Sequence, residues 1–375
     1  MAAQRRRRRT VDKGIDVSKF ENVHQIGGIQ TGVLAPAFGG STDSGCRVAL
    51  VNTGSGLRFT VALDRGGDIV DAFYNQCSLT YLSANGLKPP SHAYHQGFDW
   101  LSNWPAGLVT TCGPHAIGAP HTEDGIDSGL HGHHSNTPAR LDAIVNPDPH
   151  KGKTEMMLSM VIRDSRMFGP VFEVRRQIRC VLSVPRITIC DEVTNLGDQK
   201  VTHNWLYHAN VGYPLLDEGA KFIYRGRADY WPAPDPPVKP LSDTALNRVK
   251  RVDHGLAEHA GTGERGMVVE ATPDRKGLCH VGIINSKLGL GLELEYSPRC
   301  LPRLANWQHY GPRGCYVSGI EPFNGSLMGK ANDSFPSAEQ YLRPGQTRKY
   351  ELTIKVLSCA QDIAALAAHD GKVHA

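Results

Sequence analysis

From about residue 46 onward the chain is written in short alternating segments, and this pattern narrows its fold more than any other feature. Phe172-Glu173-Val174-Arg175-Arg176-Gln177-Ile178-Arg179-Cys180-Val181-Leu182 alternates apolar and polar residues over much of its length. A period of two puts one face of a strand on a core and the other in water. Residues 46–52 and 57–63 are β-rich runs broken by Thr53-Gly54-Ser55-Gly56, which reads as a hairpin connection. Residues 156–162 and 186–195 continue the series, with a turn at Ser183-Val184-Pro185 between 172–182 and 186–195. Further strands are expected at 201–209, 220–225, 266–271, 279–285, 289–296, 314–320 and 348–358, and helical periodicity only at 360–368. Many turn-separated strands with almost no helix predict an all-β fold, a large antiparallel sandwich rather than an α/β sheet.

Composition narrows the partners. The net charge of +4 comes from one N-terminal run, Arg5 to Arg9. Without those five arginines, Lys+Arg falls from 41 to 36 against 37 acidic residues, and the body sits at about −1. The run is expected to be a solvated, disordered arm rather than a nucleic-acid grip. No apolar h-region follows it, and no apolar run approaches the length of a membrane span. Neither nucleic acid nor membrane is therefore an expected partner, and no signature of a particular oligomeric state is visible. Nine scattered cysteines, never in a CxxC pair, predict reduced and mostly buried thiols in a cytoplasm.

The expected organisation is a basic arm over 1–20, one β domain over 21–360 and a short tail over 361–375. Residues 84–128 are rich in aromatics, His, Gly and Pro without periodicity, and read as long loops lining a site. Residues 227–265, which include Trp231-Pro232-Ala233-Pro234-Asp235-Pro236-Pro237, read as a surface excursion.

Three segments carry chemistry. Gly129-Leu130-His131-Gly132-His133-His134-Ser135-Asn136 clusters imidazoles between glycines that let a ligand approach the backbone. His203 and His208 lie five apart on a strand-like segment, so a regular strand cannot aim both at one site. Glu321 sits in Ser318-Gly319-Ile320-Glu321-Pro322, where the proline is expected to end the strand or mark an edge. Imidazole exchanges protons near neutral pH, and a carboxylate from a distant segment completes an acid–base pair. Arg65, in Asp64-Arg65-Gly66-Gly67-Asp68, either clamps sugar hydroxyls or pairs with Asp68 across a turn. Trp100, Trp104 and Trp307 offer flat faces to a pyranose, or serve the core; Asn306 and Gln308 are hydroxyl partners beside Trp307. Dinucleotide loops, P-loops, nucleophile elbows and zincin helices are absent from the sequence. A divalent metal held by His131, His133 and His203 or His208 with Glu321 is chemically permissible.

At these residues the chain resembles the galactose-mutarotase-like (aldose 1-epimerase) superfamily, and more closely an uncharacterised bacterial family within it. The resemblance rests on Gly129-Leu130-His131-Gly132 with Ser135-Asn136, Leu206-Tyr207-His208 with Asn210 and Gly212-Tyr213-Pro214, and Gly319-Ile320-Glu321-Pro322. Thr111-Cys112-Gly113 and Asp64-Arg65-Gly66 with Asp68-Ile69 add to it, in order across residues 46–358. It implies a β-supersandwich with a sugar site on one concave face. It also implies His131 as a substrate-binding residue, His208 as acid and Glu321 as base. His133 departs from the family, standing where aldose epimerases carry a second glycine.

The leading expectation is thus a cofactor-free mutarotase acting on a small sugar. Glu321 and His208 would open the ring, with Arg65, His131, Asn136, His203, Asn306 and Trp307 around the substrate. One alternative is a metal-assisted epimerase, isomerase or lyase of a keto-sugar or acid sugar, with His131, His133, His208 and Glu321 around the metal. Another is a carbohydrate-binding protein without catalysis.

Overall fold

The computed structural model describes residues 15–35, 45–233, 242–329 and 340–374, and side chains for all of these except 231–233. The Arg5–Arg9 run and Pro234–Pro237 lie outside the described residues. Three sheets dominate, antiparallel but for one short pair in the seven-stranded sheet. An eight-stranded sheet runs in the order Lys221–Ile223, Cys279–Asn285, Leu290–Tyr296, Thr347–Leu357, Arg186–Asn195, Val171–Val181, Glu155–Ser165 and Ala139–Val145. A seven-stranded sheet runs Val373–His374, Gly226–Ala233, Glu264–Ala271, Arg303–Tyr310, Tyr316–Asn324, Trp205–Gly212 and Thr110–Cys112. A five-stranded meander takes Gly28–Leu34 through Cys46–Asn52, Leu57–Ala62 and Asp68–Tyr74 to Cys77–Ser78. The expected antiparallel β-supersandwich is what forms, with one continuous core that draws on all three sheets.

Local chemistry explains the elements. The strand Val171–Val181 buries Phe172, Val174, Ile178 and Cys180 at alternate positions. The hairpin at Thr53–Gly56 closes with Thr53 N–H donating to Leu57 O at 3.0 Å, and Gly54 and Gly56 take φ of 72° and 96°. Those left-handed angles are open to glycine at little cost.

Three expectations are corrected. The stretch 227–265 is not a surface excursion throughout. It opens within Gly226–Ala233, a strand paired along its length with Glu264–Ala271, and it carries a helix, Asp243–Val249, whose Leu246 and Val249 are buried. Trp-Pro-rich composition hid the strand, because Pro232 breaks the usual β signature. The tail is docked: helix Ala360–Ala367 buries Leu366, and Val373–His374 joins the seven-stranded sheet in parallel with Gly226–Arg227. Finally, the strand carrying Glu321 neither stops nor lies at an edge at Pro322. It runs on to Asn324, between Arg303–Tyr310 and Trp205–Gly212.

The same alternation that buries Val174 and Ile178 puts Arg176 inside, at 1% exposure. Its guanidinium grips Asp191 in two parallel bonds of 2.8 and 2.7 Å. It donates to the carbonyls of Gly66 and Gly67 at 3.1 and 3.2 Å and to Thr111 Oγ1 at 2.8 Å. Tyr207 adds its hydroxyl to Asp191 at 2.7 Å, and Asp68 lies 3.5 Å from Arg176 while accepting from Thr111 N–H. One buried cation therefore joins the three sheets. Removing one partner strands the others in low dielectric, so Arg176→Met should lower unfolding free energy by about 3–5 kcal/mol in urea denaturation. A loss under about 1 kcal/mol would show that the network is not a tie between sheets.

Candidate active site

His208 lies mid-strand in Trp205–Gly212, opposite Thr110 on one side. On the other side the ladder to Tyr316–Asn324 pairs Leu206 with Phe323 and Ala209 with Ile320, skipping Tyr207 and His208. Pro322 has no N–H to give, so the ladder opens where His208 and Glu321 stand side by side. Their nearest atoms, His208 Nε2 and Glu321 Oε1, are 3.4 Å apart, and the two side chains are 6% and 4% exposed. Neither His208 Nδ1 nor Glu321 Oε1 makes a hydrogen bond. A Cβ on Gly319 would stand 1.9 Å from Glu321 Oε1, so a larger residue there would displace the carboxyl from its place beside His208.

His131 arrives from a loop rather than a strand. It adopts φ 62°, and its N–H donates to Gly118 O at 2.9 Å while Gly118 N–H donates back to Nδ1 at 3.3 Å. Nδ1 is an acceptor, so the ring proton sits on Nε2. The His131 ring meets the His208 ring edge-on at 5.3 Å between centroids.

Three tryptophans enclose the pair. Trp100 and Trp104 stack at 4.9 Å; Trp100 lies 4.8 Å from the His131 ring, and Trp104 5.3 Å from that of His208. Trp307 closes the other side of His208 at 5.7 Å. The indoles are pinned by N–H bonds: Trp100 to Ser135 Oγ at 3.1 Å, Trp104 to Thr110 Oγ1 at 2.9 Å, and Trp307 to Glu264 Oε2 at 2.5 Å. The expected loop region 84–128 thus supplies a roof, with Trp100 inside the 3-10 turn Asp99–Ser102.

Burial sets the electrostatics. Desolvation holds His131 down at about 4. It holds His208 well below the ordinary imidazole value, and the neighbouring His131 presses the same way. Desolvation pushes Glu321 well above the ordinary carboxyl value, and Glu264 adds to the rise. Burial thus favours the neutral form of each member of the pair, a protonated Glu321 and an unprotonated His208.

Other residues named from sequence go elsewhere. Arg65 is buried, and it neither faces the pair nor bridges to Asp68: its guanidinium donates to the carbonyls of Ser135, Lys88 and Asn103 at 2.5, 3.0 and 3.0 Å. It anchors the roof instead of a substrate. His203 lies in the break before Trp205, where Nδ1–H donates to Pro114 O at 2.8 Å and Nε2 bonds the Tyr350 hydroxyl at 2.7 Å. Both its nitrogens are committed to structure. Asn306 shares a strand with Trp307, and the period of two turns it to the opposite face. There it is bonded to Tyr224, Ser318, Gly319 and Gln308, and Gln308 is likewise held by Arg265 and Val249. Asn136 is buried with Oδ1 accepting from Asn103 Nδ2 at 2.7 Å, again bracing the roof.

His133 leaves the cluster. It stacks on His95 at 4.2 Å and faces Asp164 at 3.8 Å, lining a separate cleft with His92, Arg163 and Arg166. No three of His131, His133, His208 and Glu321 hold donor atoms within 4.8 Å of one another. Among the described residues only His280, Glu293 and Glu295 do so, on the eight-stranded sheet with Lys355 already 3.5 and 2.8 Å from the two carboxylates. Glu264 escaped the sequence reading, since it fell at the close of the presumed excursion. Its signal is the pairing of Gly266 with Trp307, which puts Glu264 along the same face.

The sheets together form a β-supersandwich of the galactose-mutarotase-like fold. The chain belongs to the family described as a domain of unknown function (DUF4432), whose profile matches residues 43–356. No curated protein matches it. A solved structure of a proposed aldose 1-epimerase from Klebsiella pneumoniae is similar, with TM-score 0.79 and 22% identity over 97% of this chain and 95% of that one. A galactose mutarotase-like protein from Clostridium acetobutylicum aligns with TM-score 0.61 and 12% identity, over 88% of this chain and 98% of that one. A galactose 1-epimerase from Lactobacillus acidophilus aligns with TM-score 0.54 and 11% identity, over 88% and 98%. These likenesses establish the fold.

If the tryptophan roof is what desolvates the pair, Trp104→Ala should raise the His208 pKa toward its ordinary value near 6.5. A titration of the imidazole C–H signals by proton NMR measures this; an unchanged His208 would assign its depression to other walls.

Proposed function

We propose that the protein is a sugar isomerase of the aldose 1-epimerase type, interconverting the anomers of a reducing sugar by acid–base ring opening. The observation that carries the reading is the buried His208–Glu321 pair, 3.4 Å apart, with His131 and three indoles around it. Anomerisation takes one proton from the anomeric hydroxyl and gives one to the ring oxygen. A pair holding one mobile proton supplies both needs and is restored when the ring closes. Transfer of the proton from Glu321 to His208 gives carboxylate and imidazolium; hydrogen bonds from sugar hydroxyls favour that charged form, which burial alone disfavours.

Glu321 then removes the anomeric proton while His208 protonates the ring oxygen. The C1–O5 bond breaks, the C1–C2 bond rotates, and reclosure with the protons returned gives the other anomer. His131, with its proton on Nε2, donates to a hydroxyl, and the indole faces of Trp104 and Trp307 meet the C–H side of the ring. His133 turning away from the other three residues weighs against the metal-assisted reading as first framed. No helix among the described residues is long and apolar enough to cross a membrane. None of the nine cysteines is in a disulfide, which supports a reducing, cytoplasmic setting as part of this proposal.

Glu321→Gln should cut the anomer exchange rate of the responsive aldose by about a thousandfold, within the range that general acid–base groups contribute. Saturation-transfer proton NMR measures exchange, and circular dichroism verifies the fold. Preserved exchange would remove Glu321 as the base. An aldose panel that binds yet exchanges no faster with wild-type protein than without it would instead favour a carbohydrate-binding protein.

A further inference from the structure

We propose that the cleft beyond the His131 loop is a second, non-catalytic carbohydrate site that takes a neutral oligosaccharide. The assignment rests on the lining of this cleft and not on the isomerase reading of His208 and Glu321. The cleft measures about 860 Å³, toward the upper end of the roughly 300–1,000 Å³ of small-molecule sites. None of His131, His208, Glu321 or the three tryptophans lines it. Two consecutive left-handed residues, His131 at φ 62° and Gly132 at φ 72°, turn the chain so that His131 meets His208 while His133 faces the cleft.

Two deeply buried side chains in its walls hold polar atoms without a partner. Asn136, 3% exposed, lines the cleft, and its Nδ2 makes no hydrogen bond although its Oδ1 is held by Asn103. Ser128 and His133 continue from the cleft into an adjoining cavity of about 30 Å³, room for about one water-sized group, whose wall includes His115. His115 is 9% exposed; its Nδ1 lies 3.3 Å from Ser128 Oγ, and its Nε2 has no partner. A third such atom is His95 Nε2, on a half-buried ring of the same cleft. Buried polar atoms are rarely left so, and several in one wall mark a place where a polar ligand supplies the missing bonds.

The lining decides the kind of ligand. Among the described residues that line the cleft, only Pro120 and Pro138 carry apolar side chains, so it is not shaped for an apolar compound. Arg163 and Arg166 are offset by Asp127 and Asp164, and Arg163 is already bonded to Glu173 at 2.6 Å. Burial, with His133 and His92 beside it, holds His95 down at about 4, so its ring adds no charge at neutral pH. No surplus positive charge is left for a phosphate or a carboxylate. A metal ion fits no better. Imidazole binds a metal in its ring plane, and His95 and His133 stack face to face, 4.2 Å apart with 13° between the planes.

A neutral oligosaccharide matches this mixture of donors and acceptors. A neutral imidazole has one of each, as a hydroxyl does. Asp164, 3.8 Å from His133, accepts from neighbouring hydroxyls, while Arg166 and the Asn136 amide donate to sugar oxygens. His92, edge-on to His95 at 5.0 Å, extends the same wall. No bond is made or broken. The loop that holds Asn136 also carries His131, and the segment that holds His92 and His95 leads into the turn bearing Trp100. The cleft and the candidate active site are thus built from the same two loops, with their ligand-facing residues on different sides.

Isothermal titration calorimetry of the full chain with maltotriose, cellotriose, xylotriose and mannotriose tests the assignment, with inorganic phosphate and Zn²⁺ as competing probes. At least one trisaccharide should bind. Asp164→Asn should weaken that binding roughly tenfold, the size of one charge-assisted hydrogen bond, and Arg166→Ala should weaken it too. Trp307→Ala, in the wall of the candidate active site, should leave the affinity unchanged; circular dichroism verifies each variant as folded. Binding that neither cleft variant weakens, or that Trp307→Ala abolishes, would overturn the proposal. So would a series in which no trisaccharide binds, with or without binding of phosphate or Zn²⁺. Anomer exchange by Asp164→Asn should match that of the wild-type protein, so failure of the cleft assignment leaves the isomerase reading standing. Conversely, a chain that exchanges no aldose can still bind a trisaccharide here.

Discussion

The buried guanidinium of Arg176 is the constraint on which the rest depends. A charge this deep is tolerated only when every donor finds an acceptor. Those acceptors are Asp191 in the eight-stranded sheet, Thr111 in the seven-stranded sheet, and the Gly66 and Gly67 carbonyls in the turn of the five-stranded meander. Gly66 O also accepts from His134 Nε2 at 3.0 Å, so the loop that carries His131 is tied to the same point. His134, with its Nε2–H committed to that carbonyl, is a structural member of the imidazole cluster. The position of a candidate substrate-binding histidine thus follows from a cation on a distant strand, through bonds that cannot be relaxed one at a time.

Burial then does for the site what the cation does for the fold. Removing water from His208 and Glu321 together favours the uncharged form of both side chains. A neutral imidazole beside a protonated carboxyl differs from an imidazolium–carboxylate pair by the position of a single proton. A polar ligand replacing part of the apolar wall shifts that proton without any net charge entering or leaving. Arg65 and Asn136, both bound to the segment that bears Trp100 and Trp104, contribute by holding this wall in place.

Much of the fold was legible because strand alternation is a local property. Residues 46–52 and 279–285 were read to the residue, and the 186–195 strand likewise, since each is bounded by turns. Strands whose composition departs from the β pattern were not legible: Gly226–Ala233 holds Pro232, and Arg303–Tyr310 interleaves polar residues on its inner face. The site was half legible for a related reason. His131, His208 and Glu321 stand out in the sequence and converge in space. Asn306 and His203 look as suitable, yet their direction depends on which face of a strand or break they occupy. Sequence neighbours such as Asn306 and Trp307 part company by a half-turn of the pleat, which only the sheet register reveals.

The two residues flanking Ile320-Glu321 show how little freedom the site has. Gly319 is there for volume, because the carboxyl of Glu321 fills the space any Cβ would take. Pro322 is there for what it lacks: without an N–H it cannot complete the ladder, and the gap falls at Tyr207 and His208. In a fully bonded antiparallel ladder the site face would be continuous sheet at this point. Removing one donor leaves His208 and Glu321 adjacent at a local opening, in a central strand where stability would otherwise favour a closed ladder. The seven-stranded sheet forgoes local bonding there, while the Tyr207 hydroxyl, from within the gap, bonds Asp191 and so fastens this stretch to the Arg176 tie between the sheets.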